Sequence, residues 1–248
     1  MASDKSKERP RNRLLASLPQ QDFSRLQANL EPVDMTYRRS LYQANRQISH
    51  VHFFETGVGS LVKTMRNGDA SEVGTIGNEG IVGLPVVLGD TRSPTAVYVQ
   101  VPGVGLRMRS DLFLEAMERS PALRKSLLHY VHAFFNQVAQ SAACASHHAL
   151  EQRCARWLLM THERMDSDHF LLTHEFLAMM LGIRSRSGVT IAAGELQRAG
   201  LIRYQRGHVT ILDLRGLKRR ACECFEISKQ EFDRLLGTNE ADTEPGRA

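Results

Sequence analysis

The sequence lacks any apolar run approaching the ~20 residues that span a bilayer. Its opening stretch, Met1–Arg13, is polar and mixed in charge, without the apolar centre of a secretion signal. These absences argue against a membrane span and a secretory leader, and predict a cytoplasmic protein with no membrane partner. Cysteine is scarce too: Cys144, Cys154, Cys222 and Cys224 are too few for a disulfide framework in a chain of this length. No P-loop, G-x-S-x-G or H-E-x-x-H pattern occurs, so the usual carriers of phosphoryl-transfer, serine-hydrolase and zinc-protease chemistry are missing. The chain reads as a non-enzyme.

What is present is an ordinary globular balance, 42% hydrophobic and 24% charged over 248 residues, enough for one large domain or two smaller ones. The net charge of +5 is unevenly placed. Between Arg184 and Arg220 stand Arg184, Arg186, Arg198, Arg203, Arg206, Arg215, Lys218, Arg219 and Arg220, against only Glu195 and Asp213. Basic charge gathered in one segment is the footprint expected for phosphate contacts.

Three textures follow one another. A polar leader gives way to a short helix carrying Phe23, Leu26 and Leu30 at helical spacing. From Pro32 to about Met108, short stretches such as Val51–Phe54, Gly59–Met65, Glu72–Ile76, Ala96–Val101 and Gly105–Met108 alternate with turn residues. Asn67-Gly68 between two of them predicts a hairpin with both residues at positive φ. The pattern predicts a β-sandwich or barrel of roughly eight strands. Ser110–Glu118 then reads as a short helix, and Pro121 opens a much longer one. In it Leu127, Tyr130, Val131, Phe134, Val138 and Ala142 recur at spacings of three and four. That stripe serves either packing against the β-domain or, as preferred here, a homodimer seam where neighbouring alanines let two helices approach.

The most informative segment is the last. Ala149–His162 is amphipathic; Thr173 offers an N-cap to a helix ending at Gly182; a second helix runs from Ser185 or Ser187 to Ala199. A hairpin, Leu201–Gln205 and His208–Leu212 around Arg206-Gly207, follows at once. Helix, turn, helix and basic wing form a winged helix-turn-helix for duplex DNA. Arg184, Ser185, Arg186, Ser187 and Thr190 stand at the start of the second helix, where a recognition helix meets base edges. Thr173 at the preceding cap, and Arg203, Arg206 and His208 on the wing, complete the predicted DNA-binding set.

This order of parts resembles the Crp/Fnr regulators from about Leu14 to Gly237. The resembling stretches are HVHFFETGVGSLV and GNEGIVGLPVVLG, then LEQRCARWLLM, LTHEFLAMMLGIR, GVTIAAGELQRAGLIRYQRGHVTILD and ACECF. The resemblance implies an α+β chain in three parts. Residues 14–119 would be a jelly-roll barrel similar to cyclic-nucleotide-binding domains, 120–145 a dimerisation helix, and 146–237 the winged helix-turn-helix, with flexible tails at 1–13 and 238–248. It implies a homodimeric transcription regulator with RNA polymerase as a further partner.

It also implies an effector pocket at Gly77, Glu79, Gly80, Gly83 and Arg92. However, Leu84 stands where a cyclic-nucleotide site has glutamate, and Ser93-Pro94-Thr95-Ala96 where the phosphate arginine belongs. Asn45 and Phe54 replace a usual glycine and proline. Binding of cyclic AMP or cyclic GMP is therefore not expected, and the glycines are assigned to turn geometry.

Other clusters carry no function in this reading. No cysteine precedes Cys144, so the N-terminal cluster of the family's iron–sulfur sensors is missing. Cys222 and Cys224 are placed in the final helix, where i and i+2 diverge, and His147 and His148 diverge as neighbours, so no metal site is expected. His50, His52, His129 and His132 are scattered. The competing function is an effector sensor whose output is a protein contact, with DNA binding lost.

Overall fold

The computed structural model describes residues 9–165, 167–183 and 186–237; for Arg186 and Ser187 only the backbone is described. The chain begins with two short helices, α1 (Arg13–Ala16) and α2 (Gln20–Gln27). Ahead of α1, Asn12 is fully buried and donates from Nδ2 to the Phe54 and Gly80 carbonyls at 3.1 and 2.8 Å. Chain assigned to a flexible tail is thus built into the domain as far as Asn12.

Seven strands follow: β1 (Glu31–Met35), β2 (Ser40–Tyr42), β3 (His50–Phe54), β4 (Val58–Thr64), β5 (Ala70–Ile76), β6 (Ala96–Val101) and β7 (Gly103–Arg109), with the short helix α3 (Leu84–Val87) between β5 and β6. They form two antiparallel sheets in the orders β1-β7-β3 and β2-β6-β4-β5, enclosing a core of Met35, Val51, Phe53, Phe54, Ile81, Val97 and Val99. The sequence reading passed over β1 and β2. Pro32 lowers the strand signal of β1, and the structure resolves this by placing β1 at a sheet edge, where a missing N–H is tolerated. At the β4–β5 turn only Gly68 has positive φ (87°), and Met65 N–H reaches the Asp69 carbonyl at 2.7 Å. This is a three-residue loop with one left-handed glycine, not the two-residue turn expected from Asn67-Gly68.

Helix α4 (Ser110–Arg119) leads to α5 (Pro121–His147), whose first turn is capped by the Ser120 hydroxyl accepting from Leu123 N–H at 3.0 Å. Half of the α5 stripe has the alternative role. Leu127, Tyr130 and Phe134 are buried in the chain's own core, against the β-domain and the last helix, so they are removed from the dimer-seam set; Val138 packs beside them. Outward-facing apolar residues lie one step round: Leu128 and Phe135 are exposed, with Val131 half-buried and Ala142 exposed.

The C-terminal part contains α6 (Leu150–His162), β8 (His169–Leu171), α7 (His174–Leu181), α8 (Arg186–Arg198), β9 (Ile202–Gln205), β10 (His208–Ile211), α9 (Leu214–Arg220) and α10 (Cys224–Leu236). Its core joins Trp157, Leu158, Phe176, Leu177, Val189, Leu196, Ile202 and Val209. The expected wing gains a third strand, since β8 pairs with β10 in the order β8-β10-β9. Helix α10 spans both cores: Phe225 in its first turn is buried in the C-terminal one, whereas Phe232 belongs to the N-terminal core and its ring lies 6.2 Å from that of Tyr130. No helix among the described residues is long and apolar enough to cross a membrane.

Candidate nucleic-acid interface

The helix-turn-helix is set by local chemistry. Thr173 caps α7 by accepting from Phe176 N–H, and Gly182 ends it in the left-handed region at φ 63°, where glycine carries no Cβ penalty. Arg184 and Ser185 lie outside the described residues. Helix α8 has the phase expected from its apolar spacing. Val189, Ala192, Ala193 and Leu196 are all buried, against α6 and α7.

The opposite face of α8 is open. Thr190, Ile191, Gln197 and Arg198 are exposed there, and a Cβ added at Gly194 would meet nothing within 4 Å. Ile191, 61% exposed on this polar face, was not among the predicted residues. An apolar side chain on a recognition face suits contact with a thymine methyl, and the bare Gly194 allows backbone to approach DNA closely. Their signal was available as an apolar residue and a glycine out of phase with the buried set.

The wing turns at Arg206 and Gly207, with φ of 51° and 78°, the two-residue hairpin whose twist suits antiparallel strands. Gln197 of α8 accepts from Tyr204 N–H at 2.7 Å, which fixes the wing to the recognition helix. Arg203, Arg206 and His208 are exposed, and the His208 ring stacks on His169 at 5.1 Å. Among the described residues neither Arg203 nor Arg206 has an acidic partner. Arg198, Arg219 and Arg220, by contrast, pair with Glu195, Asp213 and Glu151. Among the described residues of this segment, basic side chains without an acidic partner are thus Arg203 and Arg206 on the wing and Arg215 and Lys218 on the helix that follows it. Thr173 sits beside the wing turn but also meets the Tyr37 hydroxyl at 3.1 Å, which ties α7 to the β-domain.

The predicted effector residues are differently placed. Glu79 is buried and receives two bonds from Arg164 at 2.9 and 2.8 Å; Arg164 also donates to Thr75, Gln137 and the Met160 carbonyl. Burial alone would raise the Glu79 carboxyl, but the Arg164 guanidinium outweighs it and holds the group below its ordinary value. Only Gly83 has positive φ, at 123°. Gly77 and Gly80 are required for another reason: a Cβ would lie 2.3 Å from Arg164 Cδ and 2.1 Å from the Tyr130 ring. Close approach thus replaces turn geometry as their explanation. Asn45 keeps positive φ (61°) where the resemblance has glycine. Arg92 is exposed and does not line the ≈ 330 Å³ cavity beside Glu79 and Arg164.

The structure also overturns one premise about the cysteines. Cys222 lies between α9 and α10, not in a helix, and His148 is the extended C-cap of α5. The donor atoms of Cys144, His148, Cys222 and Cys224 all fall within 4.8 Å of one another.

Residues 152–220 match the Crp-like helix-turn-helix domain family. Solved structures match over most of the chain. One is a regulator of the crp/fnr family from Eubacterium rectale, at 17% identity and a TM-score of 0.63, covering 84% of this chain and 96% of that one. Another is a CRP/FNR-family transcriptional regulator of Thermus thermophilus, at 20% identity and a TM-score of 0.61, covering 77% and 98%. A third is the c-di-GMP-responsive global regulator CLP of Xanthomonas campestris, at 13% identity and a TM-score of 0.56, covering 78% and 99%. None of the curated protein sequences compared matches the chain. The chain thus has the fold of Crp/Fnr-type transcription regulators and carries a Crp-like helix-turn-helix DNA-binding domain.

Proposed function

We propose that this chain, with its Crp-like helix-turn-helix on a Crp/Fnr-type fold, is a homodimeric, sequence-specific transcription regulator acting in the cytoplasm, with RNA polymerase as a further partner. The observation that carries the reading is the pairing of an open α8 face with a wing whose Arg203 and Arg206 have no acidic partner among the described residues. The outward row Leu128, Val131 and Phe135 on α5 supports the dimer, which would present two recognition helices about one DNA turn (~34 Å) apart. The sensor does not bind cyclic AMP or cyclic GMP in this reading, because Arg164 and Tyr130 already fill the approaches to Glu79 and Gly80. Its effector, if of another class, acts by biasing how the two domains sit on each other.

The test compares cognate and random duplexes. Arg186→Ala should weaken cognate binding by roughly 1–3 kcal/mol while sparing random DNA; Arg206→Ala should weaken both alike and lower the salt slope by about 1. Equal losses on both duplexes for both variants would reject the assignment of α8 as the reader. A salt-independent interaction would favour the protein-contact alternative.

A further inference from the structure

Three of the four cysteines do not join either apolar core; Cys144, Cys222 and Cys224 form a separate buried cluster of their own. Cys144 lies in the last turn of α5 and His148 is its extended C-cap, and their donor atoms fall within 4.8 Å of each other. Cys222 precedes α10 and Cys224 begins it. Phe225 N–H bonds the Cys222 carbonyl at 3.2 Å, closing a turn that brings both thiols to the same side. The Cys144 and Cys222 sulfurs lie 3.5 Å apart, and the Cys224 sulfur lies 3.5 Å from His148 Nδ1. Around one tetrahedral ion with Zn–S bonds near 2.3 Å, neighbouring donors are about 3.8 Å apart, so the spacing suits a single centre.

The surrounding groups are those such a centre needs. His148 Nε2 is 3.1 Å from the Glu223 carboxylate, which accepts its N–H and leaves Nδ1 free to face the sulfurs. A carboxylate behind a histidine fixes tautomer and ring orientation at metal sites. Gln140, one helical turn before Cys144, donates its amide to the Cys224 sulfur at 3.0 Å. Arg156 is buried beside Cys144, and its Nε has no hydrogen-bond partner. Three thiolates, a neutral imidazole and a divalent ion sum to one negative charge, which that guanidinium offsets.

We propose that Cys144, His148, Cys222 and Cys224 bind one zinc ion in a closed Cys₃His site. Four protein ligands leave no open position, so the ion's role is structural. It ties the end of α5 to the junction of α9 and α10, and His148 is the residue at which α5 gives way to α6. Binding requires loss of the three thiol protons, so affinity rises with pH.

The test uses the full chain, purified under reducing conditions, stripped with a chelator and refilled with Co²⁺ as probe. The expected result is one equivalent per chain, with thiolate-to-cobalt charge-transfer absorption, intense tetrahedral d–d bands and displacement by Zn²⁺. Cys222→Ser or His148→Ala should weaken binding by more than about 100-fold. Glu223→Gln, at an exposed position that should not disturb folding, should weaken it about 10- to 100-fold by releasing the imidazole. His147→Ala, exposed and outside the cluster, should leave it unchanged. Absence of stoichiometric binding by the wild-type chain, a weak octahedral spectrum, unaltered binding in Cys222→Ser, or a metal-free Cys144–Cys222 disulfide would each overturn the proposal.

Discussion

The glycine-rich turn of the β-domain, where the family resemblance implies an effector pocket, and the basic wing, read as a DNA contact, are treated oppositely by the structure. At the turn, Glu79 is buried and answered by Arg164 from beyond α6, while Tyr130 of α5 lies against Gly80. Its polar groups join the β-domain, the long helix and the helix-turn-helix domain. At the wing, Arg203 and Arg206 project outward without an acidic neighbour among the described residues, and the recognition face beside them is open. A motif thus indicates a ligand only where its charges are not already satisfied by the protein.

The sharpest way to break this contrast is at the closed site. Glu79→Gln should leave Arg164 as a buried charge without its partner and cost roughly 3–5 kcal/mol in denaturant unfolding. Replacing both residues with methionine should recover much of the loss, which it would not if the pair were an exposed effector site.

Next in size is Glu72, on β5 and buried facing α5 and α6, whose carboxyl burial pushes up to about 8. The folded chain keeps this proton from the ordinary carboxylate range up to pH 8, whereas the unfolded chain loses it. Stability therefore falls as pH rises through that window. Glu72→Gln should flatten the slope and add roughly 2–4 kcal/mol at pH 8, with little change near pH 4, as read from unfolding midpoints.

On the open side, Phe135→Glu should weaken self-association by about 2 kcal/mol in sedimentation equilibrium, as loss of a central apolar contact does. An unchanged dimer would move the seam off the Leu128–Phe135 row. The smallest effect is expected at Ile191→Ala, about 1 kcal/mol, confined to operators with thymine at the contacted position.

Much of this architecture was legible beforehand. The helix-turn-helix and wing could be read because caps, glycine stops and apolar phase are local signals: Thr173, Gly182 and Arg206-Gly207 each act within a few residues of themselves. What escaped was long-range. Nothing near Glu79 in sequence announces Arg164, and nothing on α5 says that Tyr130 faces inward while Leu128 faces out, since that depends on α10 returning to cover one side. The Cys144–His148 spacing was visible, but its partners at Cys222 and Cys224 become neighbours only through folding.

The central claim is that the open face reads DNA, and selection of genomic fragments by the purified full chain tests it most directly. The account predicts enrichment of one palindromic motif with half-sites about one helical turn apart, unchanged when cyclic AMP and cyclic GMP are added. Failure to enrich any motif over random fragments, with or without those nucleotides, would contradict it.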